Sequence, residues 1–263
     1  MKTPGDRRDP DEVLRRLDLD EHVRDPGIKQ RFVTAMFEVI APRYDRFTRA
    51  FSCGMDRGWK RALLDEAARE LTPGTVVLDL ACGTGDLAFG VAHRAPQARI
   101  VGIDISRRML SAAAARAPGR ADRPGFSAGH MPQLPLRDGS VGLVTAGYAV
   151  RNAPHAGAAL DEIARVLTPG GRLLTLDFYR PRNPVWRRLY LWYLKRAGNL
   201  IGRLWHRQAQ VYGYIAPSID HYMSWQDFSA ELERRGLVVE RVRRKLLGGI
   251  CIHEARKRSE EVR

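Results

Sequence analysis

Two short motifs in the first half of the chain carry residue types that suit nucleoside binding. The apolar run T-V-V-L-D-L leads into A-C-G-T-G-D, and the next apolar run, I-V-G-I-D-I, contains Asp104 near its end. Gly83 and Gly85 permit backbone conformations and a close ligand approach that a Cβ atom would obstruct. A carboxylate at Asp104 can accept hydrogen bonds from both hydroxyls of a ribose. The pattern therefore predicts a loop and a strand end that bind a nucleoside.

Asp79, at the end of the first of these runs, bears on which nucleoside binds. Gly83, Gly85 and Ala88 also fit the looser dinucleotide pattern G-x-G-x-x-A, so the glycines alone do not separate nicotinamide cofactors from S-adenosylmethionine. An acid at this strand end repels a pyrophosphate, whereas it attracts the ammonium and sulfonium cations of S-adenosylmethionine. Asp79 therefore favours S-adenosylmethionine as the cofactor.

Strand-like and helix-like segments alternate from about Thr75 onwards. Four apolar runs (T-V-V-L-D-L, A-R-I-V-G-I-D-I, S-V-G-L-V-T-A-G-Y and G-R-L-L-T-L-D-F) are separated by helical stretches such as Arg107 to Arg116 and Ala156 to Leu167. This alternation predicts an α/β fold with a mostly parallel sheet and helices on both faces. Two late apolar runs, G-L-V-V-E-R-V and G-G-I-C-I-H-E-A, are spaced to form an antiparallel pair.

The remaining segments define the predicted domain boundaries. We expect one domain over residues 31–258, between a charged, flexible tail of residues 1–30 and a short tail of residues 259–263. Residues 31–70 precede the first strand and look like a helical cap, and residues 181–215 interrupt the sheet. Ligands of open α/β sheets bind at the carboxyl ends of the strands. Helices attached there are therefore candidates for a lid.

Composition restricts the function classes. The chain has 263 residues, a net charge of +14 and a pI near 10.3, an excess of Lys and Arg that attracts nucleic acid or an anionic membrane surface. The sequence shows no secretory signal and no apolar run long enough to span a bilayer, which favours the cytoplasm. Cys53, Cys82 and Cys251 lie far apart, and no cluster of metal-ligand residue types is seen, so we expect no metal.

Further motifs resemble those of a known family, the ubiquinone/menaquinone biosynthesis C-methyltransferases. The resemblance extends from about Met36 to His253. The glycine loop and the P-G-G-R-L turn occur across class I methyltransferases and therefore indicate only fold and cofactor. The narrower pieces are I-A-P-R-Y-D, G-M-D-R with W-K-R, Y-A-V-R-N, L-D-F-Y-R-P, and a late stretch formed by Tyr212, Tyr214-Ile215 and Ser218-Ile219.

The resemblance implies a fold and a set of cofactor contacts. The fold is the class I methyltransferase one: a Rossmann-like, mostly parallel sheet of seven strands with a terminal antiparallel strand, helices on both faces and a helical lid insert. By alignment, His130 faces the edge of the adenine and Met131 packs against its face. The implied cofactor-binding residues are Tyr44, Asp79, Gly83, Thr84, Gly85, Asp104, Ile105, His130, Met131 and Gly147.

The resemblance also implies methyl transfer to a ring carbon of a reduced demethylated quinone, which requires a proton acceptor and a group that stabilises negative charge. Arg151 follows the fourth strand, where it can stabilise a ring oxyanion or polarise a water, or can simply pair with a carboxylate. Asn152 can orient that water. Asp177 ends the fifth strand and can act as the base or as the partner of Arg151. Tyr44 and Tyr148 can lie over the cofactor or the ring.

The insert is both basic and aromatic. Trp186, Tyr190, Trp192, Tyr193 and Trp205 alternate with Arg187, Arg188, Lys195, Arg196, Arg203 and Arg207. We expect Trp186, Leu189, Tyr190, Tyr193 and Leu194 to share one helical face. Two compatible interpretations remain open: an interfacial helix that contacts an anionic membrane, or a lid helix packed on the sheet.

Other acceptors remain open as well. Aromatic and basic residues that alternate also suit single-stranded nucleic acid, so an RNA methyltransferase is one alternative to the small lipophilic quinol. Another is a methyltransferase of a different phenolic or apolar acceptor. The sequence does not indicate the oligomeric state.

Overall fold

The computed structural model describes residues 14, 25–116, 124–205 and 213–259. The predicted tail of residues 1–30 therefore lies mostly outside the described residues, and so do Arg207 and Tyr212. The side chains of residues 199–205, which include Arg203 and Trp205, are also outside the description.

One mixed sheet of seven strands forms the centre of the molecule, in the order β3-β2-β1-β4-β5-β7-β6. Strand β7 is antiparallel to both of its neighbours, and the other strand pairs are parallel. The strands are β1 (Val76–Leu80), β2 (Arg99–Asp104), β3 (Gly125–Ala128), β4 (Val141–Gly147), β5 (Leu167–Phe178), β6 (Leu237–Lys245) and β7 (Ile250–Lys257). The predicted α/β class is confirmed. The antiparallel strand is last in the chain but lies inside the sheet, between β5 and β6.

Strand β3 is the one strand that no apolar run predicted. Its residues Gly125–Ala128 are mostly exposed at the edge of the sheet, so selection for an apolar pattern is weak there. By contrast, the residues of β1 are buried on both faces of the sheet. Val77 and Leu78 point to opposite faces and belong to two different apolar clusters.

Helices cover both faces and the carboxyl edge of the sheet. They are α1 (Pro26–Ile40), α2 (Tyr44–Phe51), α3 (Met55–Ala68), α4 (Asp86–Arg94), α5 (Arg107–Ala115), α6 (Ala156–Val166), α7 (Pro184–Trp205), α8 (Ile215–Asp220) and α9 (Trp225–Arg234). Helix α1 begins before the predicted boundary at residue 31. Asp25 caps it by accepting a hydrogen bond from the Ile28 N–H at 2.8 Å, and Pro26 supplies a suitable first residue.

A third apolar cluster lies beyond the carboxyl ends of the strands. It joins α1, α2, α7 and α8 through buried side chains that include Phe32, Phe47, Tyr190 and Tyr214. The predicted cap and insert therefore pack on each other. Together they enclose the edge of the sheet where a ligand is expected.

Helix α7 has both buried and exposed residues on its predicted face. Tyr190 and Leu194 are buried in the third cluster, whereas Leu189 and Tyr193 are exposed. The five predicted residues lie on one side of this continuous helix, but helices α2 and α8 cover only part of that side. Among the described residues, no helix combines the length and apolar character needed to cross a bilayer.

Candidate functional site

The two loop glycines serve different purposes. Both have positive φ angles, 54° for Gly83 and 83° for Gly85. A Cβ atom on Gly83 would project into open space, on the wall of a cavity. A Cβ atom on Gly85 would lie 3.0 Å from Phe89 and 3.1 Å from Phe126. Gly83 therefore leaves room for a ligand, whereas Gly85 permits close packing at the start of α4.

Asp104, at the end of β2, is held rigidly by the backbone around it. Its Oδ2 accepts the N–H of Gly83 and its Oδ1 accepts the N–H of Ser106, both at 2.8 Å. Burial raises the pKa of this carboxyl group, and the backbone N–H groups oppose the rise. The side chain lines the same cavity as Gly83, so its remaining lone pairs are available to a ligand.

Asp79, at the end of β1, is nearly inaccessible to solvent. It accepts hydrogen bonds from the Thr145 hydroxyl and the Ala88 N–H, both at 2.9 Å. Burial raises its pKa to about 7, although these two donors oppose the shift. Such a carboxyl group gains stability in its ionised form when a cation binds beside it.

Three adjoining cavities meet at Tyr44 and Tyr148, which line all of them. We call them the glycine-loop cavity (about 630 Å³), the polar recess (about 380 Å³) and the apolar cavity (about 640 Å³). Tyr148 has a φ of 57°, an uncommon value for a residue with a side chain. This strained backbone brings its ring between the cavities.

The structure brings the predicted cofactor residues together. All of them except Gly85 line the glycine-loop cavity or the polar recess: Tyr44, Asp79, Gly83, Thr84, Asp104, Ile105, His130, Met131 and Gly147. Gly83 lines both spaces, with Asp104 beside it in the glycine-loop cavity and Asp79 in the polar recess. A nucleoside with a cationic substituent fits this arrangement, so the residues present suit S-adenosylmethionine.

The polar recess adds a residue that the sequence reasoning did not select. Lys60 Nζ lies 2.9 Å from Asp86 and lines the recess together with Asp79. Arg116 also contacts Asp86, at 2.6 Å. Lys60 and Asp79 thus present opposite charges that match the carboxylate and ammonium groups of an amino acid. The W-K-R motif contained the signal, but nothing in the sequence alone placed it beside the glycine loop.

The apolar cavity contains Arg151 and Asn152 on a wall of aromatic and aliphatic side chains. Its other lining residues are Met36, Phe37, Ile40, Tyr44, Phe47, Thr48, Phe51, Ser52, Tyr148, Phe178, Tyr214 and Ile215. The guanidinium carbon of Arg151 lies 5.6 Å from the centroid of Phe178. Asn152 also lines the glycine-loop cavity, so it lies where the two spaces join.

Asp177 lies behind Arg151 and does not line a cavity. It is 1% exposed, and its Oδ1 lies 3.5 Å from Arg151 Nε. Its Oδ2 accepts the N–H of Arg151 at 3.1 Å, and its Oδ1 accepts the N–H of Phe178 at 2.8 Å. Burial raises its pKa, and Arg151 opposes that rise. Of the two roles considered for Asp177, this geometry fits the partner of Arg151 rather than the base.

Several buried polar atoms beside the apolar cavity have no partner among the described residues. They are the hydroxyls of Tyr148 and Tyr214 and the Asn152 carbonyl oxygen. An unpaired buried polar group costs about 1–3 kcal/mol. Three such atoms on residues that line one cavity therefore indicate a ligand that carries its own polar groups. Arg151 also donates to the Ser218 hydroxyl, and Asn152 donates to the Tyr148 carbonyl at 2.8 Å.

No group of three or more His, Cys, Asp or Glu residues with metal-binding geometry occurs within the described ranges. His130 is exposed at the glycine-loop cavity, and its neighbour Met131 is half-buried.

Comparisons with known proteins place this chain in a family. The model of the ubiE/COQ5 methyltransferase family matches residues 26–257. A demethylmenaquinone methyltransferase from Lactiplantibacillus plantarum is 34% identical over 232 residues, which cover 87% of this chain and 97% of that protein. A ubiquinone/menaquinone biosynthesis C-methyltransferase from Brucella abortus is 37% identical over 231 residues, with coverage of 86% and 85%.

Solved structures agree on the fold. A geranyl diphosphate C-methyltransferase from Streptomyces coelicolor was solved with S-adenosyl-L-homocysteine. It has a TM-score of 0.58 at 15% identity, and the match covers 77% of this chain and 79% of that protein. The [4+2]-cyclase SpnF has a TM-score of 0.57 at 20% identity, with coverage of 88% and 96%. The predicted class I methyltransferase fold is confirmed. The chain belongs to the ubiE/COQ5 methyltransferase family and is an S-adenosylmethionine-dependent methyltransferase.

Proposed function

We propose that this enzyme methylates a ring carbon of a reduced, demethylated quinone. The observation that carries the proposal is the apolar cavity, which is lined by Arg151 and by three residues with unpaired polar atoms, Tyr148, Asn152 and Tyr214. A quinol ring is apolar on its faces and has two hydroxyl groups at its edge, so it can fill the cavity and pair with these atoms. The names of the relatives at 34–37% identity support the same acceptor class.

The cofactor would occupy the glycine-loop cavity and the polar recess. Asp104 would accept the ribose hydroxyls, His130 and Met131 would contact the adenine, and Asp79 with Lys60 would pair with the amino-acid end. When bound, S-adenosylmethionine supplies an electrophilic methyl group. The shared wall at Tyr44 and Tyr148 leaves the two spaces adjoining, which is the condition for transfer between neighbouring ligands.

Arg151 would stabilise the negative charge that develops on the ring oxygen. A guanidinium group remains protonated in proteins, so it acts as a fixed positive charge and donor rather than as a base. Asp177 holds it in place through the 3.5 Å contact to Nε, and Ser218 accepts from its terminal nitrogen. Asn152 donates to the Tyr148 carbonyl, which leaves its own carbonyl oxygen to orient a ring hydroxyl or a water.

Label transfer tests this function. Purified enzyme with methyl-labelled S-adenosylmethionine should label a short-chain demethylated naphthoquinol or benzoquinol at carbon, with a demethylated phenol panel and bulk RNA as competing acceptors. Label in the quinol supports the proposal. Label only in the phenols or only in RNA contradicts it.

The enzyme would also contact an anionic membrane surface, from which a lipophilic quinol is taken. Of eight exposed large apolar side chains among the described residues, seven belong to three neighbouring segments. They are Val185, Leu189, Trp192 and Tyr193 of α7, Leu246 and Leu247 of the β6–β7 turn, and Met55 of the α2–α3 turn. The Trp186 indole donates to the Leu246 carbonyl at 3.1 Å, which joins the first two segments.

Basic residues together with exposed apolar side chains support an anionic lipid bilayer as the occupant of this surface. Residues 181–198 and 241–249 contain Arg and Lys but no acid, and residues 52–61 contain one acid, Asp56, which is buried. Basic residues around exposed Trp, Tyr and Leu are typical of segments in the headgroup layer of anionic membranes.

Liposome co-sedimentation tests the membrane contact. The triple variant Leu189→Gln, Trp192→Gln and Leu247→Gln should bind vesicles of phosphatidylglycerol and phosphatidylcholine at least about 10-fold more weakly. Val238→Gln changes an exposed large apolar residue that lies outside this surface, and it serves as the control. Equal binding by the triple variant and the wild type would contradict the proposal.

A further inference from the structure

The apolar cavity offers no side chain that is an ordinary proton acceptor. Its polar lining residues carry hydroxyl, amide or guanidinium groups, and none of the described lining residues is Asp, Glu or His: Tyr44, Thr48, Ser52, Tyr148, Arg151, Asn152 and Tyr214. Methylation at a ring carbon requires a ring hydroxyl to lose its proton. The group that receives this proton therefore lies at least one hydrogen bond beyond the wall.

Asp177 is a carboxylate near the wall of the cavity, but its contacts exclude it as the proton acceptor. It reaches the cavity only through the guanidinium of Arg151. A guanidinium has no lone pair with which to accept a proton, so it cannot relay one. The other hydrogen bonds of Asp177 come from the backbone N–H groups of Arg151 and Phe178.

Asp56 is connected to the cavity through a hydroxyl instead. Ser52 lines the cavity, and its Oγ donates to Asp56 Oδ1 at 3.0 Å. Both residues are buried, with exposures of 8% for Ser52 and 4% for Asp56. A hydroxyl, unlike a guanidinium, has lone pairs as well as a proton, so it can accept from one side and donate to the other.

The turn between α2 and α3 creates this contact. Cys53 and Gly54 both have positive φ angles, 50° and 79°, which reverse the chain within two residues. The reversal brings the first turn of α3 back onto the last turn of α2, so that the Asp56 N–H lies 3.3 Å from Ser52 Oγ. A left-handed conformation at Cys53 is costly for a residue with a side chain, so the surrounding structure must hold the turn in this geometry.

The electrostatic surroundings of Asp56 also connect it with the cavity. Lys60 Nζ lies 3.5 Å from Asp56 but only 2.9 Å from Asp86, so it does not pair exclusively with Asp56. Burial raises the pKa of the Tyr148 hydroxyl well above its ordinary value, and the charge of Asp56 adds to the rise. The field of Asp56 thus reaches the wall where the ring would bind.

We propose that Ser52 and Asp56 form the proton relay of the acceptor site. The inference rests on the proposed quinol function. The ring hydroxyl gives its proton to Ser52 Oγ while the Ser52 proton moves to Asp56 Oδ1. The O–H bond of the ring breaks, its electron pair stays on the ring oxygen beside Arg151, and Asp56 becomes a neutral carboxyl group. Electrons then move from this oxygen into the ring as the ring carbon bonds to the methyl group, whose bond to the sulfonium breaks. The methylated carbon loses its own proton to solvent, and Asp56 returns its proton through Ser52 to the ring oxygen, so that one proton is released overall.

Steady-state kinetics with paired acceptors test the relay. The acceptors are a short-chain demethylated naphthoquinol and its ring-fluorinated analogue, whose hydroxyl is more acidic. Ser52→Ala and Asp56→Asn should lower kcat on the plain quinol about 100-fold, the lower range for general base catalysis, with KM changed less than about 3-fold. Ser52→Thr keeps the hydroxyl and should recover most of the activity. The fluorinated quinol should restore kcat of the two defective variants, because its proton is lost more readily.

The control is Asp65→Asn, which neutralises an exposed carboxylate on the same helix and should match the wild type. Wild-type kcat in folded Ser52→Ala, or an equal loss on both quinols, would overturn the relay. If Asp56→Asn does not fold, the comparison of Ser52→Ala with Ser52→Thr still tests the relay. Failure of the wild type to methylate either quinol would overturn the proposed function itself, so the two failures are distinguishable.

Discussion

The two halves of the site differ in how their polar groups are satisfied. Around the glycine loop, Asp79 and Asp104 already accept hydrogen bonds at 2.8–2.9 Å from nearby backbone and side-chain donors. Around the apolar cavity, the hydroxyls of Tyr148 and Tyr214 and the carbonyl of Asn152 lack partners among the described residues. The cofactor half is therefore organised before its ligand binds, whereas the acceptor half requires a ligand to complete its hydrogen bonds.

This difference follows from the elements that build each half. The glycine loop and its carboxylates come from β1, β2 and the turns that follow them, which are adjacent in the sheet. The apolar cavity combines the consecutive helices α1 and α2 with β5 and α8, which follow much later in the sequence. Changes in the first half should therefore affect cofactor binding. Changes in the second should affect acceptor binding and turnover.

The largest expected effect is on the cofactor half. Asp104→Ala removes the proposed acceptor for the ribose and the anchor of the Gly83 N–H. Two charge-assisted hydrogen bonds at about 1.5–3 kcal/mol each predict that the Kd for S-adenosylmethionine rises at least about 100-fold. Isothermal titration calorimetry measures it. Asp138→Ala, at an exposed carboxylate that pairs with Arg165, is the matched control, and equal affinities for the two variants would refute the assignment.

The next effect separates turnover from cofactor binding. Arg151→Lys keeps the charge beside Asp177 but removes the planar, fixed donors, so kcat with a demethylated quinol should fall about 100-fold. The Kd for S-adenosylmethionine should change by less than about 3-fold, because Arg151 lines only the apolar cavity. Kinetics and calorimetry on one preparation measure both. A variant that loses affinity for S-adenosylmethionine but keeps its kcat would contradict the assignment of Arg151 to the acceptor half.

A pH series sharpens the description of Asp79. Its pKa of about 7 means that the unliganded carboxyl group is increasingly protonated below that pH. A cationic ligand favours the ionised form, so binding must displace the proton. The Kd for S-adenosylmethionine should be constant just above pH 7 and rise by up to about 10-fold per pH unit below it. Asp79→Asn should remove this dependence; an unaltered pH profile in that variant would show that another group is responsible.

The smallest effect concerns an unpaired hydroxyl. Tyr214→Phe removes a buried polar atom that lacks a partner, so the free energy of unfolding should stay equal or increase. The KM for the quinol should rise about 5-fold, equivalent to roughly 1 kcal/mol for one hydrogen bond. Denaturant unfolding and steady-state kinetics provide the two values. A destabilised variant with unchanged KM would assign the hydroxyl a structural role instead.

Local patterns predicted the cofactor half well. The β1 run, the positive φ of Gly83 and Gly85, and the position of Asp104 at the end of β2 depend on short stretches of chain whose residue types restrict the backbone. The parallel pairing of β1, β2, β4 and β5 was predicted from the same alternation of strands and helices. The edge strand β3 had no such signal, because its side chains are mostly exposed.

The acceptor half was less predictable. The family resemblance indicated Arg151 and Asn152, but the unpaired carbonyl of Asn152 and the position of Asp177 behind Arg151 depend on how β5 and α8 pack. Which residues of α7 are buried depends on the same kind of packing, so the sequence left that question open. The contact of Ser52 with Asp56 depends on left-handed backbone at Cys53, a conformation that residue type does not signal.

A ternary crystal structure with S-adenosyl-L-homocysteine and a short-chain demethylated naphthoquinone tests the division of the site most directly. We expect the ribose on Asp104, the amino-acid end beside Asp79 and Lys60, and the quinone ring between Tyr148, Arg151 and Tyr214. A quinone ring bound away from the apolar cavity, or a nucleoside that does not contact Asp104, would contradict the account.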